Sequence, residues 1–177
     1  MSGIIGSYHN IRGSGVVNKL GTDGQVFTST GVGGAAGFED AAGGGKVLQL
    51  LFVSTTTQVN VATTTHTDIG LSLAITPAAT SSKIYALWKI SANQDSGPRG
   101  YGSQILRDTT SVFASKSLVD VLSQTNSFRL HGVFMYLDSP SSTSEITYKV
   151  QCRTHASGQV EFQEAGSSDL MLIEVGA

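Results

Sequence analysis

The segment Ile146-Thr147-Tyr148-Lys149-Val150-Gln151-Cys152-Arg153 alternates apolar and polar side chains without a break. Successive side chains of an extended chain point to opposite faces. Ile146, Tyr148, Val150 and Cys152 therefore share one face, and Thr147, Lys149, Gln151 and Arg153 the other. This is the pattern of a strand that is dry on one side and wet on the other.

The same period of two recurs on both sides of this segment. Ile69, Leu71, Leu73 and Ile75 alternate with Gly70, Ser72 and Ala74, and Ile84, Ala86, Trp88 and Ile90 share one phase. Val160 and Phe162 alternate with Glu161 and Gln163. The pattern predicts strands near 47–54, 56–63, 68–76, 82–92, 101–107, 110–117, 127–138, 143–153, 158–164 and 168–175. Turn chemistry separates them at Thr76-Pro77, Ser96-Gly97-Pro98, Asp138-Ser139-Pro140 and Ala156-Ser157-Gly158. Leu106 to Thr110 reads as a tight hairpin with Asp108 supplying the turn oxygen. No window carries a convincing helical stripe, and Ser117 to Leu122 offers one or two turns at most. Many short strands with regular turns predict an all-β fold, an antiparallel jelly-roll β-sandwich.

Composition divides the chain near Lys46. Thirteen of the 21 glycines lie at or before Gly45, and so glycine-rich a stretch loses too much backbone entropy to form a compact core alone. Residues 1–45 are expected to be an extended, irregular arm that anchors the protein. Ile4, Ile5, Val16, Val17, Leu20, Val26, Phe27 and Phe38 are its apolar anchors. Residues 46–177 are expected to be a β-sandwich head.

Some strands of the head are apolar on both faces. Val133, Met135 and Leu137 alternate with Leu130, Phe134 and Tyr136, and Tyr85 and Leu87 flank the phase of Trp88. The outer face of a two-layer sandwich should be wet, so Tyr85, Leu87, Val133 and Met135 are expected at an oligomer interface. The loop Asn93 to Tyr101 carries amide, acid, guanidinium and phenol groups. Its Asn93, Asp95, Arg99 and Tyr101 are the candidate receptor-binding residues.

The bulk properties exclude other chemistry. Net charge is −2, only 14% of residues are charged, and no basic cluster exists for nucleic-acid phosphates or anionic lipid. No apolar run approaches the ~20 residues of a membrane-spanning helix. The N-terminus lacks the basic and long apolar regions of a secretory signal, so release into the cytoplasm where the chain is made is expected. Cys152 is the only cysteine, which excludes an internal disulfide framework and a cysteine-rich zinc site. It lies in phase with core residues and reads as a small hydrophobe. His66 and Asp68 are too few for a tight metal site, and His131 reads as a buried or interface histidine. Gly31, Gly33 and Ala36 lack the strand-then-helix setting of a dinucleotide site. Trp88 reads as core rather than as a sugar platform. No catalytic residues, cofactor or metal are expected, and the chain is not expected to be an enzyme.

The string Leu20-Gly21-Thr22-Asp23-Gly24-Gln25-Val26-Phe27-Thr28-Ser29, continuing glycine-rich to Phe38 and Asp40, resembles a segment repeated in tail-fibre and virion-surface proteins of tailed bacteriophages. There the pattern runs Leu-Gly-Thr-x-Gly-Gln-Val-Leu-Thr-Ser, then a glycine-rich tail and an aromatic; Phe27 here replaces the usual Leu. The stretches Val53 to Thr67, Thr80 to Ile84, Leu106 to Thr109 and Leu172 to Glu174 also resemble proteins of aquatic phages. The resemblance implies a virion structural protein with a jelly-roll head like that of tumour necrosis factor. It also implies a homotrimer and capsid or tail proteins as partners. It departs from long fibres in that one motif copy and about 45 residues precede the head, so no shaft is expected. A 45-residue arm reaches on the order of 150 Å when extended, which suits a capsid decoration or head fibre somewhat better than a tail fibre. The alternative is a receptor- or carbohydrate-binding module that attaches to a host-surface glycan.

Overall fold

The computed structural model describes residues 25–29, 36–40, 46–94, 100–115, 128–155, 158–164 and 166–176. The chain forms two compact units, Met1–Gly44 and Gly45–Ala177.

In the first unit β1 (Gln25–Ser29) pairs antiparallel with β2 (Ala36–Asp40), with Phe27 opposite Phe38. The expectation of an irregular arm is therefore corrected over these residues. The β-branched and aromatic run Val26-Phe27-Thr28 favours extended pairing and outweighs the glycine content around it. The expected anchors Ile4, Ile5, Val16, Val17 and Leu20 lie outside the described residues, as do the side chains of Val26, Phe27 and Phe38.

The second unit contains β3 (Val47–Thr55), β4 (Val59–Val61), β5 (Thr67–Ile75), β6 (Lys83–Gln94) and β7 (Tyr101–Arg107). It continues with β8 (Thr110–Ala114), β9 (Phe128–Asp138), β10 (Ile146–Thr154), β11 (Val160–Phe162) and β12 (Ser168–Val175). All ten expected strands form, and β4 and β11 are shorter than the alternation implied. The threonine-rich flanks of β4 explain its shortening. Thr55 and Thr63 turn their hydroxyls onto the amides of Thr57 and Thr65, two residues on, which competes with ladder bonds. The helical candidate Ser117 to Leu122 lies outside the described residues.

Two antiparallel sheets stack into a jelly-roll-like sandwich. One has the order β5-β10-β7-β8. The other is centred on β6, which pairs with β9 along one side. On its other side β6 pairs first with β12, which carries β3, and then with β11, which carries β4. The core fills the space between the sheets. Ile84, Ala86, Trp88, Ile90, Leu170 and Leu172 meet Ile69, Leu71, Ile105, Tyr148, Val150 and Cys152 there. Trp88 stacks on Phe134 at 5.4 Å, meets Phe113 edge-on at 5.7 Å, and donates from Nε1 to Ser103 Oγ at 3.0 Å. Its indole N–H thus bridges the sheets and leaves no face for a sugar.

Three polar details shape the sandwich. Asp108 has a positive φ of 55° at the β7–β8 turn. Its carboxylate does not serve the turn as expected, but accepts from the Thr147 amide at 2.9 Å and extends the β7–β10 ladder. Gly70, with φ 77°, sits in a bulge where β5 shifts register against β10. Asp138 of β9 is nearly buried and accepts from Arg107 Nη1 at 3.0 and 2.9 Å and from the Tyr148 hydroxyl at 2.6 Å. It pins an edge strand of one sheet to β7 and β10 of the other. Burial, then the Asp138 carboxylate, pushes the Tyr148 phenol well above its ordinary pKa, so it remains a proton donor.

Candidate functional site

The register across β3, β12, β6 and β9 places their outward side chains in rows. The first row is Leu50, Ile173, Tyr85 and Leu137, and the second is Phe52, Met171, Leu87 and Met135. The third row is Ser54, Asp169, Lys89 and Val133. Two complete rows are apolar because each strand carries apolar residues in both of its phases. Leu51 and Val53 pack inward while Leu50 and Phe52 point out; Leu170 and Leu172 pack inward while Met171 and Ile173 point out.

Leu50, Phe52, Val133, Met135 and Leu137 are each between 55% and 63% exposed. Together they form an apolar patch on the order of 500 Å², near the upper limit for a soluble monomer. At ~25 cal/mol per Å², covering the patch contributes about 12 kcal/mol before association costs. Those costs are themselves of order 4–15 kcal/mol, so a partner must fit the face closely.

The face is concave at its centre. A hollow of about 210 Å³ is lined by Phe52, Leu87, Lys89, Val133, Asp169 and Met171. Tyr85 reaches along the face, its hydroxyl 2.8 Å from Met135 Sδ. The charges in the third row satisfy each other. Lys89 Nζ lies 2.6 Å from Asp169 Oδ2, and Ser54 Oγ donates to Asp169 Oδ1 at 2.6 Å. Burial raises the Asp169 pKa, but hydrogen bonds from Lys89, Ser54 and Ser167 outweigh it and hold the carboxyl below its ordinary range. A partner covering this row needs no countercharge. Beyond it the face ends, because the Gln163 amide donates to the Ser91 carbonyl and Gly166 lies against the Ser91 side chain.

Tyr85, Leu87, Val133 and Met135, the four residues chosen from sequence, lie together on this face. The sequence reading left out Leu50, Phe52, Met171 and Ile173. The two-phase apolar runs Leu50-Leu51-Phe52-Val53 and Leu170-Met171-Leu172-Ile173 carried the same signal as β9.

The candidate receptor residues are not brought together as expected. Tyr101 is fully buried against Phe162, with ring centroids 5.5 Å apart, so it belongs to the core rather than to a binding loop. Its position in phase with Ser103 and Ile105 at the start of β7 turns it inward. Asn93 lies within β6 and donates to Glu161 Oε2 at 3.1 Å. Asp95 and Arg99 lie outside the described residues. His131, on β9 opposite Ser91 of β6, is exposed, so of its two expected settings the buried one is corrected and the interface one stands as an expectation. Asp68 accepts from Gln151 at 2.6 Å and Lys149 at 3.2 Å. Its partners are thus cross-strand neighbours.

No family model matches the chain, and no curated protein matches it. Among solved structures, it is similar to a chain of the infectious bursal disease virus Gx strain, with 10% identity and a TM-score of 0.48. That match covers 89% of this chain and 36% of the other. A VP2 subviral particle of infectious bursal disease virus matches with 10% identity and a TM-score of 0.42, over 90% of this chain and 44% of the other. The T13 viral particle of the same virus matches with 11% identity and a TM-score of 0.41, over 90% and 42%. The present chain spans less than half the length of each.

Proposed function

We propose that this protein is a non-enzymatic structural component of a bacteriophage virion, displayed on the particle surface as a capsid decoration, head fibre or short tail fibre. Residues 1–45 anchor it to capsid or tail proteins, and the β-sandwich heads associate with one another as a trimer. The observation that carries the associative reading is the pair of unbroken apolar rows on the outward face of β3, β12, β6 and β9. The virion setting is supported by the resemblance of Leu20 to Asp40 to phage surface proteins. Glycan binding as the primary role loses support, because Trp88 and Tyr101, two aromatic rings suited to stacking on sugars, are fully buried.

The test is occupancy on particles. Phage producing the full chain should carry it, and phage producing only residues 46–177 should lack it while the soluble head remains folded. Full occupancy by the truncated chain would refute anchoring through the arm. Absence of the full chain from purified particles would refute the virion role.

A further inference from the structure

Residues 1–45 lead directly into β3 at Lys46, so a pull on them reaches the head through that strand. Among the described residues β3 pairs with β12 alone, antiparallel, from Val47 opposite Val175 to Thr55 opposite Ser168. At ~3.3 Å per residue its nine residues run about 30 Å. The end of β3 that receives the chain lies in register with Val175 of β12 and Lys83 of β6. The far ends of β6 and β9, where Gln94 meets Phe128, lie at the opposite end of the sheet.

Side chains tie β3 down near both of its ends. Gln49 Nε2 donates to Glu174 Oε2 at 2.6 Å and to the Thr76 carbonyl at 2.9 Å. Ser54 Oγ donates to Asp169 Oδ1 at 2.6 Å, and Asp169 in turn meets Lys89 of β6, so one line of polar contacts crosses three strands. Leu51 and Val53 pack against the core.

We infer that β3 is a shear clamp, which carries tension from residues 1–45 into the head by loading its whole ladder with β12 at once. The inference deepens the anchoring reading and rests on it for the source of the tension.

The direction of the pull decides the strength. Ladder hydrogen bonds of an antiparallel pair lie across the strands. A pull along β3 acts at right angles to them, so no pair opens until the strand slides, and all eight register pairs resist together. A pull across the strands acts along the bonds and opens them one pair at a time. Sliding also has no good resting place. A slip of one residue turns Leu51 and Val53 outward and Leu50 and Phe52 inward. A slip of two keeps the faces but carries Gln49 away from Glu174, a fully buried carboxylate. β12 is a strand with neighbours on both sides, and its pairing with β6 from Asp169 to Val175 passes the force to the strand that holds Trp88.

The experiment stretches single full-length chains between two handles. In the along-strand arrangement the handles sit at the N-terminus and at Arg129→Cys, an exposed position at the far end of β9. Cys152 is fully buried and its thiol is pushed up to about 12, so the handle couples to the introduced thiol. In the peeling arrangement the handles sit at the two chain ends. These leave the head side by side, because the Gly176 amide donates to the Lys46 carbonyl at 2.8 Å. The expected result is a several-fold higher opening force along the strand than in peeling. Gln49→Ala with Ser54→Ala should lower the along-strand force while circular dichroism stays unchanged. Equal forces in the two arrangements overturn the inference. So does an along-strand force that the double variant leaves unchanged, since another ladder then gives way first. Pulling needs no particle, so full particle occupancy by residues 46–177 would refute the anchoring and leave the clamp standing.

Discussion

Asp138→Ala should destabilise the head by about 2–4 kcal/mol, because one carboxylate joins the two sheets. The Tyr148 hydroxyl is buried and donates to Asp138 at 2.6 Å. Without its acceptor it costs roughly 1–3 kcal/mol. Arg107 is 29% exposed, so it can turn partly to water, and the lost ion pair adds only about 1 kcal/mol after screening. Tyr148→Phe alone keeps the ion pair and should cost about 1 kcal/mol. The two changes should not add. Asp138→Ala with Tyr148→Phe leaves no orphaned hydroxyl, so the double variant should recover roughly 1–2 kcal/mol relative to the sum. Urea titration followed by Trp88 fluorescence is the assay, because the only tryptophan is buried against Phe134 of the same strand as Asp138. Protein concentration must be held constant, since association stabilises the folded state. A cost below 0.5 kcal/mol on the ~1 kcal/mol scale of a typical hydrogen bond, or strict additivity, would refute the reasoning. The consequence reaches the apolar face, because β9 carries Val133, Met135 and Leu137.

Gly70→Ala should cost about 1–2 kcal/mol by chemical denaturation; an added Cβ meets nothing within 4 Å, so the whole cost comes from φ 77°, and Gly70→Asn should cost less. Cys152 should resist a thiol reagent such as Ellman's at pH 8 in the native protein and react fully in urea, since burial places its thiol at about 12; rapid native labelling would mean that β10 opens readily. Stability should fall in acid. Burial raises the Glu174 pKa, but donors including Gln49 at 2.6 Å and the Ala78 amide at 2.7 Å hold it below 4.5, and Asp68 and Asp169 are held below 3.8. A carboxyl depressed in the folded state binds fewer protons there, so its contribution is present above the unfolded pKa and lost as pH falls through the folded one. Thermal midpoints should therefore decline below about pH 4.5, and Glu174→Gln should flatten that limb; an unchanged limb would remove Glu174 from the account.

The strands were legible in the sequence because alternation is a local property of the extended chain. Ile146 to Arg153 and Ile84 to Ile90 needed no partner to show which phase was dry. The outward apolar residues of β6 and β9 were legible for the same reason, as was the burial of Cys152 and Trp88. Tyr101 was misplaced because it follows the loop of Asn93 to Gly100, and only the pairing of β7 with β10 shows that it already faces inward. Strand neighbours were beyond reach. β3 lies beside β12, joining Leu50 to Ile173 across more than a hundred residues. That pairing turns two separate apolar strands into one four-strand face and sets its two edges. Alternation states that a side chain is on one of two faces. Which strand lies next to it, and whether the combined surface is flat, hollow or covered, depends on how the two sheets pack around Trp88, Tyr148 and Phe162, and no local pattern contains that.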